Sequence, residues 1–169
     1  MRLFADTKYN LIMVNTVGKD ISEVDRAYLA GFLDGDGAIM AVIEKHQEKK
    51  FGFRIRIIVK ISQRDSQNLE WFSDKFGIGK INSNGRSFDW IIRDQKDAAN
   101  ILELIAPFLK TKKKQAKIAR KILCQNSNVA TKEKFLEIAR LADSLSFLNV
   151  RSKNRRKNYS AMVEEILLP

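Results

Sequence analysis

One cysteine, one histidine and two prolines stand in this chain of 169 residues, and each scarcity excludes something. Cys124 alone rules out a disulfide within the chain and a cysteine-rich metal centre. His46 alone rules out a zinc cluster and a histidine-based nucleophilic triad. Cys124 lies in an apolar helical pattern and is expected as a small core residue. His46 falls on a strand pattern and is expected at the surface. No apolar run approaches the roughly 20 residues of a membrane helix. Leu11–Val14 is too short for the core of a secretion signal, and acids flank it. An intracellular, soluble protein is the expectation. No internal repeat, low-complexity segment or glycine- and proline-rich linker divides the chain. Acids are also in short supply: 20 Asp and Glu stand against 31 Lys and Arg, a net charge of +11. That balance calls for a polyanionic partner, either nucleic acid or an anionic membrane surface. "KTKKKQAKIARK" (Lys110–Lys121) and "RSKNRRK" (Arg151–Lys157) hold the densest cations.

What is present organises itself into one domain. Hydrophobic residues make up 44%, enough for a core of its own. Residues 1–20 show no period and are expected as an N-terminal extension; residues 21–169 form the domain. Ser22 with Asp25 makes a capping box, so a helix starts there and ends at Gly35 or Gly37. Two long strands follow as a hairpin around Gly52. In the second, Phe53, Ile55, Ile57, Val59 and Ile61 share one face, while Arg54, Arg56, Ile58, Lys60, Ser62 and Arg64 share the other. The outer face thus carries four cations and no acid, which points to a nucleic-acid surface rather than a mixed solvated one. "DSQNLEWFSDKFG" reads as a helix capped by Asp65 or Ser66. "IGKINSNGRSFDWIIRD" is a second hairpin with Asn84-Gly85 in its turn. Helical patterns then follow over "QKDAANILELIAPFL", "KKQAKIARKILCQN", "TKEKFLEIARLADSLSFLN" (Thr131 as N-cap) and Ser160–Leu167. The class is α+β, an αββαββα core with a mostly antiparallel sheet and additional C-terminal helices.

The stretch "YLAGFLDGDGAIM" (Tyr28–Met40) needs its own explanation. A calcium loop starting at Asp34 would require an acid or amide at Ala38, a glycine at Ile39 and a glutamate at Lys45, and all three are missing. A polar turn can use Asp-Gly, but it does not need the small residues before it. Ala27, Ala30 and Gly31 recur at helical spacing with Gly35. Such a face lets another helix backbone approach closely.

This stretch resembles the signature of the LAGLIDADG homing endonucleases. "KISQRD", "EWFSDKFGIGKI", "APFLKTKKKQA" and "KFLEIARLADSLSFLN" are similar to later segments of the single-motif, homodimeric, group I intron-encoded type, so the resemblance spans Asp25–Leu168. It implies a saddle-shaped antiparallel sheet and a homodimer whose motif helices pair at the two-fold axis through Ala27, Ala30, Gly31, Asp34 and Gly35. It implies hydrolysis of one phosphodiester bond in each strand of a long pseudo-palindromic duplex, across the minor groove, leaving short 3′ overhangs, in support of intron mobility. Asp36 is then the metal ligand with the Gly35 carbonyl as helper, for Mg²⁺, with Mn²⁺ or Ca²⁺ able to substitute for binding. Asp34 supports the helix end, Gln63 orients the water, and Lys112 acts on the water network or on developing charge. The family usually has Arg or Lys four residues after Gln63, where this chain has Gln67. An organelle or a microbial cytoplasm is the implied setting.

A two-stranded ribbon fits the major groove, and a strand of about ten residues reaches about 33 Å. Base-edge contacts are expected from Met40, Val42, Glu44, His46, Arg54, Arg56, Ile58, Lys60, Asn82, Asn84, Asp89 and Ile91. Phosphate contacts are expected from Lys112, Lys113 and Lys114, and from Arg151, Lys153 and Arg155. No small-molecule substrate is implied. Two other readings compete: a maturase or regulator of the same fold that binds without cutting, and a peripheral membrane protein. The second is disfavoured because the cations alternate on a strand instead of lining an amphipathic helix.

Overall fold

The computed structural model describes residues 21–126, 129–149 and 159–168. The expected extension over 1–20 and the basic loop with Arg151, Lys153 and Arg155 lie outside the described residues. The elements run α1 (Glu23–Asp36), β1 (Gly37–Lys45), β2 (Phe53–Gln63), α2 (Gln67–Phe76), β3 (Lys80–Asn84), β4 (Ser87–Ile92), α3 (Gln95–Ile105), α4 (Lys113–Asn126), α5 (Lys132–Leu148) and α6 (Tyr159–Leu167). This is the αββαββα core with three further helices.

The capping box that starts α1 is formed: Asp25 N donates to Ser22 Oγ at 3.2 Å, and Ser22 N donates to Asp25 Oδ2 at 3.0 Å. The helix hands over to β1 with no intervening loop. Gly37 makes that possible, because a Cβ there would lie 2.4 Å from Leu33 Cδ1 and 2.8 Å from the Leu33 backbone. Its backbone is extended rather than left-handed, so glycine is required for closeness and not for dihedral freedom.

The four strands form one antiparallel sheet in the order β1-β2-β4-β3. Ile39, Ala41 and Ile43 of β1 and Phe53, Ile55, Ile57, Val59 and Ile61 of β2 are buried under the helices, together with Trp90 and Ile92 of β4. Burying the five residues of β2 stabilises its register by on the order of 10 kcal/mol, because a one-residue slip turns all of them outward. Every second residue of the ribbon therefore faces away from the core and stays half-exposed.

Some local expectations shift. Cys124 is exposed instead of buried, because α4 buries Ala116, Ala119 and Ile122 along the other side of the helix. The second hairpin turns at Gly85-Arg86, one position later than Asn84-Gly85; Asn84 is still paired with Ser87. Asp65 rather than Ser66 supplies the side-chain acceptor at the start of α2, taking the Gln67 amide at 2.7 Å.

Candidate active site

The C-terminal end of α1 gathers the acids of the motif. Asp36 is the last helical residue and is exposed. The pairing of Gly37 with Ile61 carries the end of β2 past it. Gln63 Nε2 donates to Asp36 Oδ2 at 2.7 Å, so these two residues, 27 apart in sequence, share one site.

Asp34 has a different task. Its carboxylate accepts from the backbone amides of Lys110 (2.6 Å), Lys112 (2.9 Å) and Thr111 (3.2 Å). The Asp34 carbonyl accepts from Lys112 Nζ at 2.7 Å and Thr111 Oγ1 at 3.2 Å. Burial opposes ionisation of Asp34, but the three amides outweigh it and hold the carboxyl below its ordinary range. The basic loop before α4 is thereby fastened to the motif, and the Lys112 ammonium is placed two residues from Asp36. Asp36, Gln63 and Lys112, singled out from sequence, converge at one helix end.

The expected dimer face divides. Ala27, Gly31 and Gly35 are exposed and follow one another at four-residue spacing, so they lie on one side of α1. Val24 and Tyr28 flank them, also exposed. Ala30 does not belong with them: it is wholly buried in the core of its own chain. The Asp34 carboxylate is also turned into its own fold. A Cβ added at Gly31 or Gly35 would meet nothing within 4 Å. Among the described residues, no neighbour requires glycine at either position. A shallow groove lined by Ala27, Tyr28, Gly31, Phe32 and Asp36 runs along this face to the acid.

Asp36 and the Gly35 carbonyl are hard oxygen donors of the kind Mg²⁺ prefers. Among the described residues, however, no group of three or more Asp, Glu, His or Cys could hold a metal.

Of the four expected cations, Arg54, Arg56 and Lys60 lie on the outward face of β2 and are paired, while Arg64 falls beyond the end of the strand at Gln63. Glu44 accepts from Arg54 Nε at 2.6 Å and Arg56 Nη2 at 3.0 Å, and Arg54 Nη2 also pairs with it. Asp89 accepts from Lys60 Nζ (2.9 Å), Asn84 Nδ2 (3.0 Å) and Ser62 Oγ (2.5 Å). Desolvation works against both acids, and these cations and donors overcome it, holding each below its ordinary value. The sequence reading of a strand face without acids holds for β2 alone. The neighbouring strands bring the acids, which only the register Glu44↔Arg54 and Ser62↔Asp89 reveals.

Among the expected contact residues, Met40, Val42, Glu44, Arg54, Arg56, Ile58 and Lys60 are half-exposed on this face, and Asn82 and Asn84 are exposed. Three expectations need correction. Asp89 (5% exposed) and Ile91 (7%) are covered by their neighbours and present no free edge. His46 is not on the strand: β1 ends at Lys45, and His46 starts the turn, its amide donating to Gly52 O at 2.8 Å. Lys113 and Lys114 are exposed in the first turn of α4. Gln67 is exposed at the start of α2.

A LAGLIDADG endonuclease family model matches residues 29–122, from the motif helix to α4. The chain belongs to the LAGLIDADG endonuclease family. It is 36% identical over 145 residues to the DNA endonuclease I-CreI of Chlamydomonas reinhardtii, covering 83% of this chain and 86% of that protein. It is 26% identical over 125 residues to the DNA endonuclease I-CvuI of Chlorella vulgaris, covering 72% and 78%. A crystal structure of I-CvuI with the I-CreI target, in the presence of Mg and with the DNA not cleaved, superposes with a TM-score of 0.78 at 26% identity, over 85% of this chain and 92% of that one. The LAGLIDADG fold extends to an archaeal intron-encoded enzyme complexed with DNA, I-Vdi141I, at a TM-score of 0.75 and 20% identity, over 85% and 94%. Among the described residues of this LAGLIDADG chain, no helix is long and apolar enough to cross a membrane.

Proposed function

We propose that this chain is a homodimeric, site-specific endonuclease of double-stranded DNA that hydrolyses one phosphodiester bond in each strand and supports the mobility of its host intron. The observation that carries the reading is the contact of Gln63 Nε2 with Asp36 Oδ2 at 2.7 Å, at the end of a helix whose exposed stripe is Ala27, Gly31 and Gly35.

Two copies joined along that stripe bring two Asp36 carboxylates together and complete the half-site of one chain. Glycines with open space above their Cα atoms let helix backbones approach as closely as this requires. A divalent cation, Mg²⁺ or, for binding, Mn²⁺ or Ca²⁺, supplies an acidified water and neutralises phosphate charge when bound. Asp36 and the Gly35 carbonyl would hold that cation. Gln63 uses an amide N–H on Asp36, which leaves Oε1 to accept a hydrogen bond from the attacking water and orient it. Lys112, fastened by Asp34, brings positive charge to where negative charge develops.

The ribbon of β1 and β2 enters the major groove, and its outward side chains read base edges. Arg54 and Arg56, held as a fork by Glu44, suit guanine; Asn82 suits adenine. Lys113 and Lys114 serve phosphates. Cations in the first turn of a helix oppose its dipole, so these lysines act against the stability of α4 and are accounted for by an anionic partner. The cuts fall across the minor groove between the two half-sites and leave short 3′ overhangs. The setting is intracellular, an organelle or a microbial cytoplasm that houses the intron.

A DNA-binding relative that no longer cuts is the second reading, and exposed, uncharged Gln67 favours it. Incubation of a randomised duplex library with Mg²⁺, followed by sequencing of the ends, separates the two. Paired cuts in one long near-symmetric site support the nuclease. Enrichment of a site that no divalent metal causes to be cut supports the binding protein.

A further inference from the structure

β2 is eleven residues long and β4 is six, so β4 accompanies β2 only from Val59 to Gln63. Farther out, β2 runs on to Phe53 with β1 along one edge and, among the described residues, no strand along the other. Alternate residues of a strand direct their backbone groups to the same edge, so Ile57 and Ile55 aim theirs at the side β4 has left. Both residues are buried, and buried backbone groups are costly to leave unpaired.

Two side-chain amides continue the ladder there. Gln95 exchanges both bonds with Ile57: Ile57 N donates to Gln95 Oε1 at 2.8 Å, and Gln95 Nε2 donates to Ile57 O at 3.0 Å. Gln95 Nε2 also donates to Arg93 O at 2.8 Å, which fixes the amide plane. One step farther, Asn126 Nδ2 donates to Ile55 O at 2.9 Å. Gln95 is the first residue of α3 and Asn126 the last of α4, so each amide is mounted on a helix end.

The structure assigns to Gln95 and Asn126 a positioning role in base recognition: they hold the distal half of β2, and with it Arg54 and Arg56, at a fixed depth in the groove. The inference rests on the DNA-reading role proposed above. The pinned segment lies far from the chemistry, since Ile57 is about 20 Å along the strand from Gln63. What the amides fix is therefore the path of the reading ribbon and not the site at α1. They also close an edge that would otherwise be open to strand addition.

The test uses the full-length protein with Gln95→Met, which keeps the length and loses the hydrogen bonds, and Asn126→Leu as an independent second variant. Backbone hydrogen exchange is measured without DNA, and discrimination is measured over every single-base change in the preferred site. Expected for Gln95→Met is exchange at the Ile57 amide faster by about fivefold, with Val59 unchanged. Discrimination falls by about fivefold only at the positions that Arg54→Ala or Arg56→Ala also flattens, while cutting of the preferred site stays within about twofold. Asn126→Leu flattens the same positions, and answers alone if Gln95→Met does not fold. An unchanged base profile despite faster exchange, or an equal loss at every position, overturns the proposal. Wild type that prefers no sequence overturns the DNA-reading role instead, a result distinct from either.

Discussion

Replacing Asp34 by asparagine removes a charge that organises the site without touching the substrate. Both carboxylate oxygens are occupied by backbone donors, Oδ2 by Lys110 and Thr111 and Oδ1 by Lys112. Asparagine keeps one oxygen and sets an NH₂ group against an N–H. At least one charge-assisted bond is lost, about 1.5–3 kcal/mol before discounting for the partial exposure of Asp34. A net loss of about 2 kcal/mol lowers the melting temperature by about 4–8 °C in a chain of this size. Cleavage falls further than stability, because Lys112 is fastened through the same acid. The sign of the pH effect follows from the depressed carboxyl. The contribution is present above the unfolded value, near 3.8, and is lost as pH falls through the lower folded value. Thermal melts of wild type and Asp34→Asn are therefore expected to differ at neutral pH and to converge in acid. Equal melting at neutral pH with unchanged cleavage refutes the anchoring role. A gap that persists undiminished in acid refutes its electrostatic origin.

Gly31→Leu separates dimerisation from folding: a helical glycine is replaced by a better helix former where a Cβ meets open space, so the monomer melts no lower, while light scattering shows the mass falling to one chain. Removing Lys113 and Lys114 together makes the slope of log affinity against log salt shallower by about 3 to 4 for a dimer, with base preference unchanged and α4 no less stable. Glu44→Gln releases Arg54 and Arg56, so affinity for random duplex rises while discrimination falls, as competition binding at fixed salt will show.

Local patterns carried most of the fold. The capping box at Ser22, the alternation along β2 and the bounds of α4 were all legible, because each depends on neighbours a few residues away. The family resemblance led to Asp36 in the motif and to Gln63 and Lys112 in later segments, which the fold brings to one helix end. Facing was harder to read. At about 100° per residue, Ala27, Gly31 and Gly35 advance together around α1, whereas Ala30 lies about 140° from Gly35 and turns into the core. Cys124 sits about 200° from Ile122, on the outer side of α4 for the same reason. Taken strand by strand, Glu44 and Asp89 give no sign that they partner the cations of β2. Their lone pairs are taken up by cations and amides across the sheet, and only the register shows it. The anchoring of the basic loop by Asp34 joins residues 76 to 78 apart, a separation no local pattern encodes.

The composite site stands or falls on Asp36. The decisive measurement compares wild type and Asp36→Asn on the selected duplex site, reading binding in Ca²⁺ and cutting in Mg²⁺. A carboxylate that holds the cation at the two-fold axis predicts a dimer that binds the site nearly as well and cuts at least about a hundredfold more slowly. Cutting at the wild-type rate by Asp36→Asn contradicts the assignment and moves the chemistry away from the end of α1.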